Sequence, residues 1–579
     1  MFLPTTRAEC RERGWPQLDI ILVSGDSYID SPYMGVALLG KFLVSNGLRV
    51  GIIAQPDTDG PGDIRRLGQP LLWWGVSGGS VDSLVANYTA AKKRRKSDDF
   101  TPGGVNDRRP DRAVISYANL IRRHFKETAP IVLGGIEASL RRISHYDYWS
   151  NSVRRSILFD ARADFLIYGM GESAALALSR RLQSGRSAND LPGLCYISKT
   201  APPDYLELPA HSLVKADKTQ FTRMFLDFYD NNDPATARGL YQLQDTRYLV
   251  QNPPAPALSQ TDLDALYDLD FEHAQHPYYA RLGQVRALDT IRFSITTHRG
   301  CHGECNFCAI AVHQGQTVHG RSAASILKEA RTLSERPDFK GIIHDVGGPT
   351  ANMYGYECKK KLKKGCCVDK RCLYPEICSQ MPVDHQPQAD LLKKLTKLPR
   401  IKRVFVASGI RYDLILADKA AGDRYLQQLV GQHVSGQLKI APEHMEDRIL
   451  ALMGKPPNTD LVEFKKRFDR LSARAGKRQF LTYYFIAAHP GCNLADMRRL
   501  GGFVRRELKL KPEQVQIFTP TPSTFATLMY HTGRDPFTGR KVYVEKTTRK
   551  KIAQKEALSK KNRTGSKTTR RSKKGPERN

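Results

Sequence analysis

The apolar positions of this chain fall into short β-branched runs separated by helical stretches, and that alternation sets the first expectation. Residues 19–23 (DIILV) read as a strand buried on both faces, followed by the loop GDSYIDSPYMG. Residues 36–45 (VALLGKFLVS) read as a helix stopped by Asn46-Gly47, and residues 49–54 (RVGIIA) as the next strand. Further strand-like runs lie at 72–76 (LWWGV), at 131–133 running into Gly134-Gly135, and at 165–168 running into GMGE. Strands that alternate with helices and end in glycine loops predict a parallel, doubly wound Rossmann-like sheet with its ligand edge at those loops.

Residues 201–286, broken by Pro202-Pro203, Pro253-Pro254 and Pro256, read as an irregular connecting region. From 291 the β-then-α alternation resumes, with strand candidates at 291–296, 341–346, 403–407, 437–440, 483–487 and 514–518. Six such strands predict a partial (β/α)6 barrel of the TIM type, with active groups at the C-terminal strand ends. After residue 540 the chain is Lys, Arg, Thr and Ser with almost no apolar pattern, which predicts a disordered basic tail. The expected organisation is therefore an α/β chain with an N-terminal domain over 1–200, a connector over 201–286, a barrel over 287–540 and a tail over 541–579.

Composition changes this picture only at the margins. Forty per cent apolar residues suit a chain that buries sizeable cores. Of the formal charge of +31, 13 units come from residues 540–579. No run of 18 or more apolar residues predicts a membrane span, and the first residues lack a signal-peptide layout. The 11 cysteines are odd in number and clustered, which excludes a secreted disulfide framework and makes a reducing cytoplasm the expected setting.

Directly after the first barrel strand comes HRGCHGECNFCAI, which puts Cys301, Cys305 and Cys308 on one loop. Three thiolates at Cys-x3-Cys-x2-Cys spacing can hold three irons of a cubane that ordinarily takes four ligands, leaving one iron open. A zinc knuckle completed by His298, His302 or His313 is the alternative that these residues leave. The spacing, with Phe307 just before the third cysteine, resembles the signature of radical S-adenosylmethionine (radical SAM) enzymes. That resemblance implies a [4Fe-4S] cluster whose open iron chelates the methionyl amine and carboxylate of SAM. It also implies reductive cleavage to a 5′-deoxyadenosyl radical, with a reductant such as flavodoxin or ferredoxin as partner. Gly347, Gly348, Pro349 and Thr350 resemble the glycine motif whose backbone touches the SAM amino group, and an ordinary tight turn is the other reading. Ser408, Arg411 and Glu443 are similar to positions that meet the ribose and carboxylate of SAM in relatives, or are solvated strand ends. The segments at 487–491 (AAHPG) and 518–522 (FTPTP) look like later strand-end motifs of the family or turns.

The N-terminal glycine loops resemble the cobalamin-binding-like domain that precedes many radical SAM cores. Its first loop has no histidine to serve as a lower axial ligand, so cobalamin and a domain without it both stand. The order of domains, with YIDSP, GGIEASLRR and DVGGPTANMYG, resembles the bacterial YgiQ family of radical SAM proteins, which implies no particular substrate. Methylation of an unreactive carbon and RNA modification are the reaction outcomes left open. A second group, Cys358, Cys366, Cys367, Cys372 and Cys378, predicts a four-thiolate site, an auxiliary iron-sulfur cluster ahead of structural zinc. KKRRK at 92–96 and the tail are either solvated charge or a salt-dependent RNA contact. A non-catalytic iron-sulfur or zinc protein that binds nucleic acid is thus the competing function.

Cys10, Cys195 and Cys492 have no neighbouring ligand in sequence and are expected to be dispensable. A Cys492→Ala chain should bind SAM as the parent does, read from the SAM-induced change in the cluster's EPR signal.

Overall fold

The computed structural model describes residues 1–510 and 512–559. Its N-terminal part is a nine-stranded sheet. The strands are β1 (Ile20–Ser24), β2 (Val50–Ala54), β3 (Trp73–Ser77), β4 (Ile131–Gly134), β5 (Phe165–Ile167), β6 (Leu194–Ser198), β7 (Leu206–Leu208), β8 (Leu240–Gln244) and β9 (Arg247–Gln251). Their order across the sheet is β7-β8-β9-β6-β5-β4-β3-β1-β2. The first five are parallel, with Ile20 opposite both Val50 and Trp73. Order 2-1-3-4-5 is doubly wound, and its topological switch lies between β1 and β3.

The alternation along β1 explains why both faces are covered. Ile21 and Val23 enter one core with Trp74, Val76 and Leu133, while Ile20 and Leu22 enter the opposite core with Val50, Ile52 and Trp73. Each fully buried aliphatic side chain there contributes about 1.5–3 kcal/mol relative to exposure.

Two expectations fail here. Residues 201–286 are not simply an irregular connector: β7, β8 and β9 extend the first sheet, β8 and β9 as an antiparallel pair beside the antiparallel β6. The pattern is hard to read because Gln242 and Gln244 take the inward positions of β8, where Leu240 is the apolar member. Their amides are satisfied internally, Gln242 donating to the Pro209 carbonyl and Gln244 accepting from the Ser156 N–H. The sheet is accordingly mixed rather than wholly parallel.

The second expectation concerns the tail. Residues 548–559 form a helix, α1 (Thr548–Ser559), seated on the barrel. Lys551, Gln554 and Leu558 are its buried positions, two of the three polar, so a continuous apolar stripe is missing from the sequence of a packed helix. Residues 560–579 lie outside the described residues.

The barrel strands are β10 (Ser294–Thr296), β11 (Asp345–Gly347), β12 (Arg403–Val404), β13 (Gln437–Glu443), β14 (Phe480–Ala487) and β15 (Gln514–Ile517). The first strand starts later than residue 291 because Ala287–Ile291 is helical. β10 pairs parallel with β11, Ile342–Ile343 just before β11 pairs parallel with β12, and β13, β14 and β15 form a parallel run. A parallel bridge between Ile410 and Ile440 joins the two halves, so the six strands follow one another in sequence order. No described helix is long and apolar enough to cross a membrane.

The two units meet at the C-terminal ends of their strands. Arg299 Nη1 reaches Glu172 Oε1 at 2.8 Å, with both side chains buried. His313 Nδ1 lies 3.2 Å from Ser139 Oγ, and Ser523 donates to the Leu140 carbonyl at 2.9 Å. The strand-end loops of both sheets therefore border one compartment.

Burial lowers Lys551 from 10.5 to about 8, although its ammonium donates to Tyr530 Oη at 2.9 Å. The unfolded chain binds the extra proton between those two values. The cost of burying the ammonium is therefore present in full below about pH 8 and is relieved as the pH rises towards 10.5. Lys551→Met should raise the thermal midpoint at pH 7 by roughly 1–3 °C. Calorimetry across the alkaline range should show that advantage shrinking towards nothing.

Candidate iron-sulfur and SAM site

The loop that carries the three cysteines is built on a turn that only glycine can make. Gly300 has φ +80°, and a Cβ there would fall 2.0 Å from the Thr317 carbonyl oxygen. The chain thus doubles back at the end of β10, where Arg299 pairs antiparallel with His319. Cys301, Cys305 and Cys308 follow at once.

The structure brings these cysteines together around Gly303. A Cβ placed there would lie 3.3 Å from Cys301 Sγ, 3.7 Å from Cys305 Sγ and 3.5 Å from Arg411 Nη1. Gly303 N–H points to Cys301 Sγ at 3.3 Å. Burial holds the Cys305 thiol above its ordinary range, with Lys455 and Arg411 pulling the other way. Burial likewise pushes Cys308 up to about 12, and Cys301, Cys305 and Glu443 are close enough to act on it. Thiols this costly to ionise need a cation to compensate them. Among the described residues no three His, Cys, Asp or Glu side chains converge on one point as they do around a single ion. The donor set fits a cubane, which spreads three thiolates over three irons.

The other expected residues border the same loop. Thr350 Oγ1 stands 3.5 Å from Cys301 Sγ. Gly347 ends β11, close enough to Ser408 that a Cβ on it would lie 3.4 Å from the serine Cβ. Gly348 lies under the His298 ring, where an added Cβ would be 2.6 Å away. Pro349 continues the loop between Gly348 and Thr350. The Ser408 hydroxyl donates to Asp345, whose other oxygen accepts from the Ala407 and Ser408 N–H groups at 2.7 and 3.0 Å. Arg411 is held by Asp413, Nε to Oδ1 at 2.8 Å, and its N–H donates to Asn352 Oδ1 at 2.8 Å. Ser408 and Arg411 therefore already have protein partners.

Glu443 sits at the end of β13, where the pairing register with β14 breaks. Its φ is +66°, and Ala488 at the end of β14 has φ +59°. Such backbone is strained for residues with a side chain, by about 1–3 kcal/mol each, and must be held by its surroundings. Gln554 of α1 does this at Ala488, accepting its N–H at 2.9 Å and donating to the Cys492 carbonyl at 3.2 Å. Burial raises the Glu443 carboxyl, while Lys455, 4.0 Å away, opposes that rise.

Lys455, Asp345 and Tyr33 carry no local sequence signal and become visible only when the strands are assembled. Tyr33 reaches across from the N-terminal loop to hydrogen-bond Thr296, near Asp345, and burial raises its hydroxyl well above the ordinary value. Of the three histidines considered as zinc ligands, His313 turns to Ser139, while His298 lies 2.8 Å from Thr297 Oγ1. His302 is buried and pushed down to about 3, chiefly by burial.

The five further cysteines gather some way along the same wall. All of them line one small cavity of about 30 Å³, together with Glu304 and Lys361. On the N-terminal side a crevice of about 430 Å³ follows the carboxyl ends of β1, β3 and β4. It is closed on the barrel side by Ile310, His313 and Gln314 of the segment that follows Cys308. Gly79 on its wall is required by the chain itself: its φ is +106°, and a Cβ there would lie 2.2 Å from Asp26 Oδ1.

A three-thiol loop at the first strand end of a six-stranded parallel barrel, preceded by a doubly wound sheet, is the arrangement of a radical SAM protein. Residues 2–294 match the radical SAM N-terminal family, and residues 513–563 match a domain of unknown function, DUF3362. A UPF0313 protein of Fusobacterium nucleatum is 57% identical over 561 residues, covering 97% of this chain and 99% of the relative. One from Thermotoga maritima is 49% identical over 559 residues, covering 96% and 98%. The chain belongs to the UPF0313 family of radical SAM proteins. The structure of the radical S-adenosylmethionine methyltransferase TsrM from Kitasatospora setae, with cobalamin and a [4Fe-4S] cluster bound, aligns at 15% identity and a TM-score of 0.48, over 87% of this chain and 76% of that one.

Gly300→Ala should distort the turn at a cost of roughly 2 kcal/mol. After anaerobic reconstitution with iron and sulfide, the variant should hold less than half of the parent's iron at this loop, measured by metal analysis of the folded fraction.

Proposed function

We propose that this chain is an enzyme that binds a [4Fe-4S] cluster on Cys301, Cys305 and Cys308 and cleaves SAM reductively. The observation that carries the reading is the meeting of three half-buried thiols with Arg411, Glu443 and Lys455 at the C-terminal ends of parallel strands. When bound, the cluster supplies an electron to the sulfonium of SAM held on its open iron, so that hydrogen can be abstracted from a second substrate.

The chain's own residues position and enclose. The Gly347–Thr350 loop lies beside Cys301 and offers backbone groups to the methionyl end of SAM. Asp345, fixed by three hydrogen bonds from Ala407 and Ser408, holds the neighbouring strand end in one arrangement. Glu443 and Lys455 form an opposed pair at the next strand end, suited to the ribose and amino-acid groups of SAM. The burial of Glu443 and Lys455 limits water at that strand end.

The N-terminal crevice belongs to the same proposal as a cofactor or substrate pocket. Its position at the switch point suits a nucleotide-sized group, such as the tail of cobalamin, cradled by Gly75–Ser77 and Gly134–Gly135. At about 430 Å³ it does not take a whole corrinoid in this arrangement, so no methylation step is derived. The nucleic-acid reading loses part of its basic surface, because Lys551 is spent on internal packing.

Purified without air and supplied with SAM and dithionite, the fully loaded protein should release 5′-deoxyadenosine and methionine. Any one of Cys301→Ala, Cys305→Ala or Cys308→Ala should reduce that release at least 100-fold. Absence of both products from protein with an intact cluster would overturn the reading.

A further inference from the structure

We propose that the cysteine-rich segment after the Gly347 loop is a second iron-sulfur site, held by Cys358, Cys366, Cys372 and Cys378. The segment is hard to explain as ordinary structure. Between Cys358 and Met381 the only regular element is the six-residue helix Lys359–Lys364, and half of residues 358–381 are lysine, glycine or cysteine. Its apolar anchors are few, chiefly Cys358, Leu373 and Met381 in one small cluster. A loop of this length without its own core is uncommon in a compact domain and usually serves a function. Apolar burial alone does not offset the entropy of ordering it.

The five sulfurs supply what the apolar residues lack. Cys358, Cys366, Cys367, Cys372 and Cys378 all line the same cavity, and no cysteine among the described residues is in a disulfide. Cys372 and Cys378 are linked through their backbones, the Cys378 N–H donating to the Cys372 carbonyl at 2.9 Å. Cys366 is fixed from outside by Asp233 Oδ2, which accepts its N–H at 3.2 Å.

The charge arrangement points the same way. Lys361 is buried, and its ammonium stands 3.7 Å from Cys372 Sγ, on the wall of the cavity. A buried ammonium is costly unless it faces negative charge. Lys361 donates to the Gln316 carbonyl and Glu304 lines the same cavity, and thiolates carrying an iron-sulfur cluster would add to that compensation. A single zinc ion would draw four sulfurs to about 2.3 Å from one point. Five cysteines line this one cavity, more than the four that a zinc ion takes, and metal content separates the two. Cys366 and Cys367 both also face the large outer cleft of about 980 Å³; Cys366, whose backbone Asp233 fixes, is taken as the fourth ligand and Cys367 is left out of the set.

The segment is also tied to the three-cysteine loop. Arg371 donates to the Glu304 carbonyl at 3.2 Å and to Asn306 Oδ1 at 2.7 Å, both within that loop. Met353, fully buried in the same apolar cluster as Cys358, has its sulfur 3.8 Å from Cys301 Sγ. The second site therefore stands beside the first and shares one wall with it.

The inference does not depend on SAM cleavage, so its test counts metal. Wild-type protein reconstituted without air, using ferrous iron and sulfide, should hold about eight irons and eight sulfides per chain. The Cys301→Ala/Cys305→Ala/Cys308→Ala variant should keep about four of each with the Mössbauer signature of a cubane. The Cys358→Ser/Cys372→Ser/Cys378→Ser variant should fall to about four, and Cys367→Ser should stay near the wild-type count. A wild-type count near four, or zinc in place of iron in the variant without the loop cysteines, would overturn the proposal. Because the wild-type count decides by itself, a variant that fails to fold does not obscure the result.

Discussion

A buried ion pair between Arg299 and Glu172 fixes the face on which the chemistry of this protein is arranged. Arg299 precedes the cysteine loop by one glycine, and Glu172 opens the helix at the end of the fifth strand of the first sheet. Removing either partner would leave an uncompensated charge in the interior, which typically costs about 3–5 kcal/mol. The pair therefore does more than hold two units together. It sets the strand-end loops of one sheet against those of the other, so that the segment that follows Cys308 forms one wall of the crevice of the first.

Within that compartment, strain and charge are concentrated where the strands end. Glu443 and Ala488 keep left-handed backbone at consecutive strand ends, and Gly300 makes its turn against a carbonyl. Regular pairing would turn these residues back into the sheet. At Glu443 the departure brings the carboxyl beside Lys455 and close to Cys308, and at Ala488 Gln554 of α1 accepts the N–H and holds the bend. Arg411 and Lys455 bring positive charge to the same place, which favours the anionic sulfurs that burial alone would oppose.

Much of this was legible in the sequence, for physical reasons that differ from part to part. The strands of both sheets declare themselves because a parallel strand covered on both faces must be continuously apolar, as residues 20–23 are. The three-cysteine loop is legible because ligands on one short loop are local by nature. What escaped were the elements whose inward positions are polar. Gln242 and Gln244 face inwards from β8, and Lys551 and Gln554 do so from α1, so neither segment shows the expected period. Lys455 and Tyr33 escaped for another reason, since each meets the site from another part of the chain, while Asp345, two residues before Gly347, shows its role only through its bonds to Ala407 and Ser408. The five later cysteines were visible as a group, yet only the folded chain shows them around a common cavity.

The helix at residues 548–559 deserves a mechanical reading. Through Gln554 it grips both the Ala488 N–H and the Cys492 carbonyl, and so braces the bend at the end of β14. It works as a strut whose foot stands on the barrel rim, and the load it bears is the left-handed twist at Ala488. Whatever lifted that strut would let the rim relax, so the C-terminal segment and the reactive pocket are coupled in stiffness although they share no ligand.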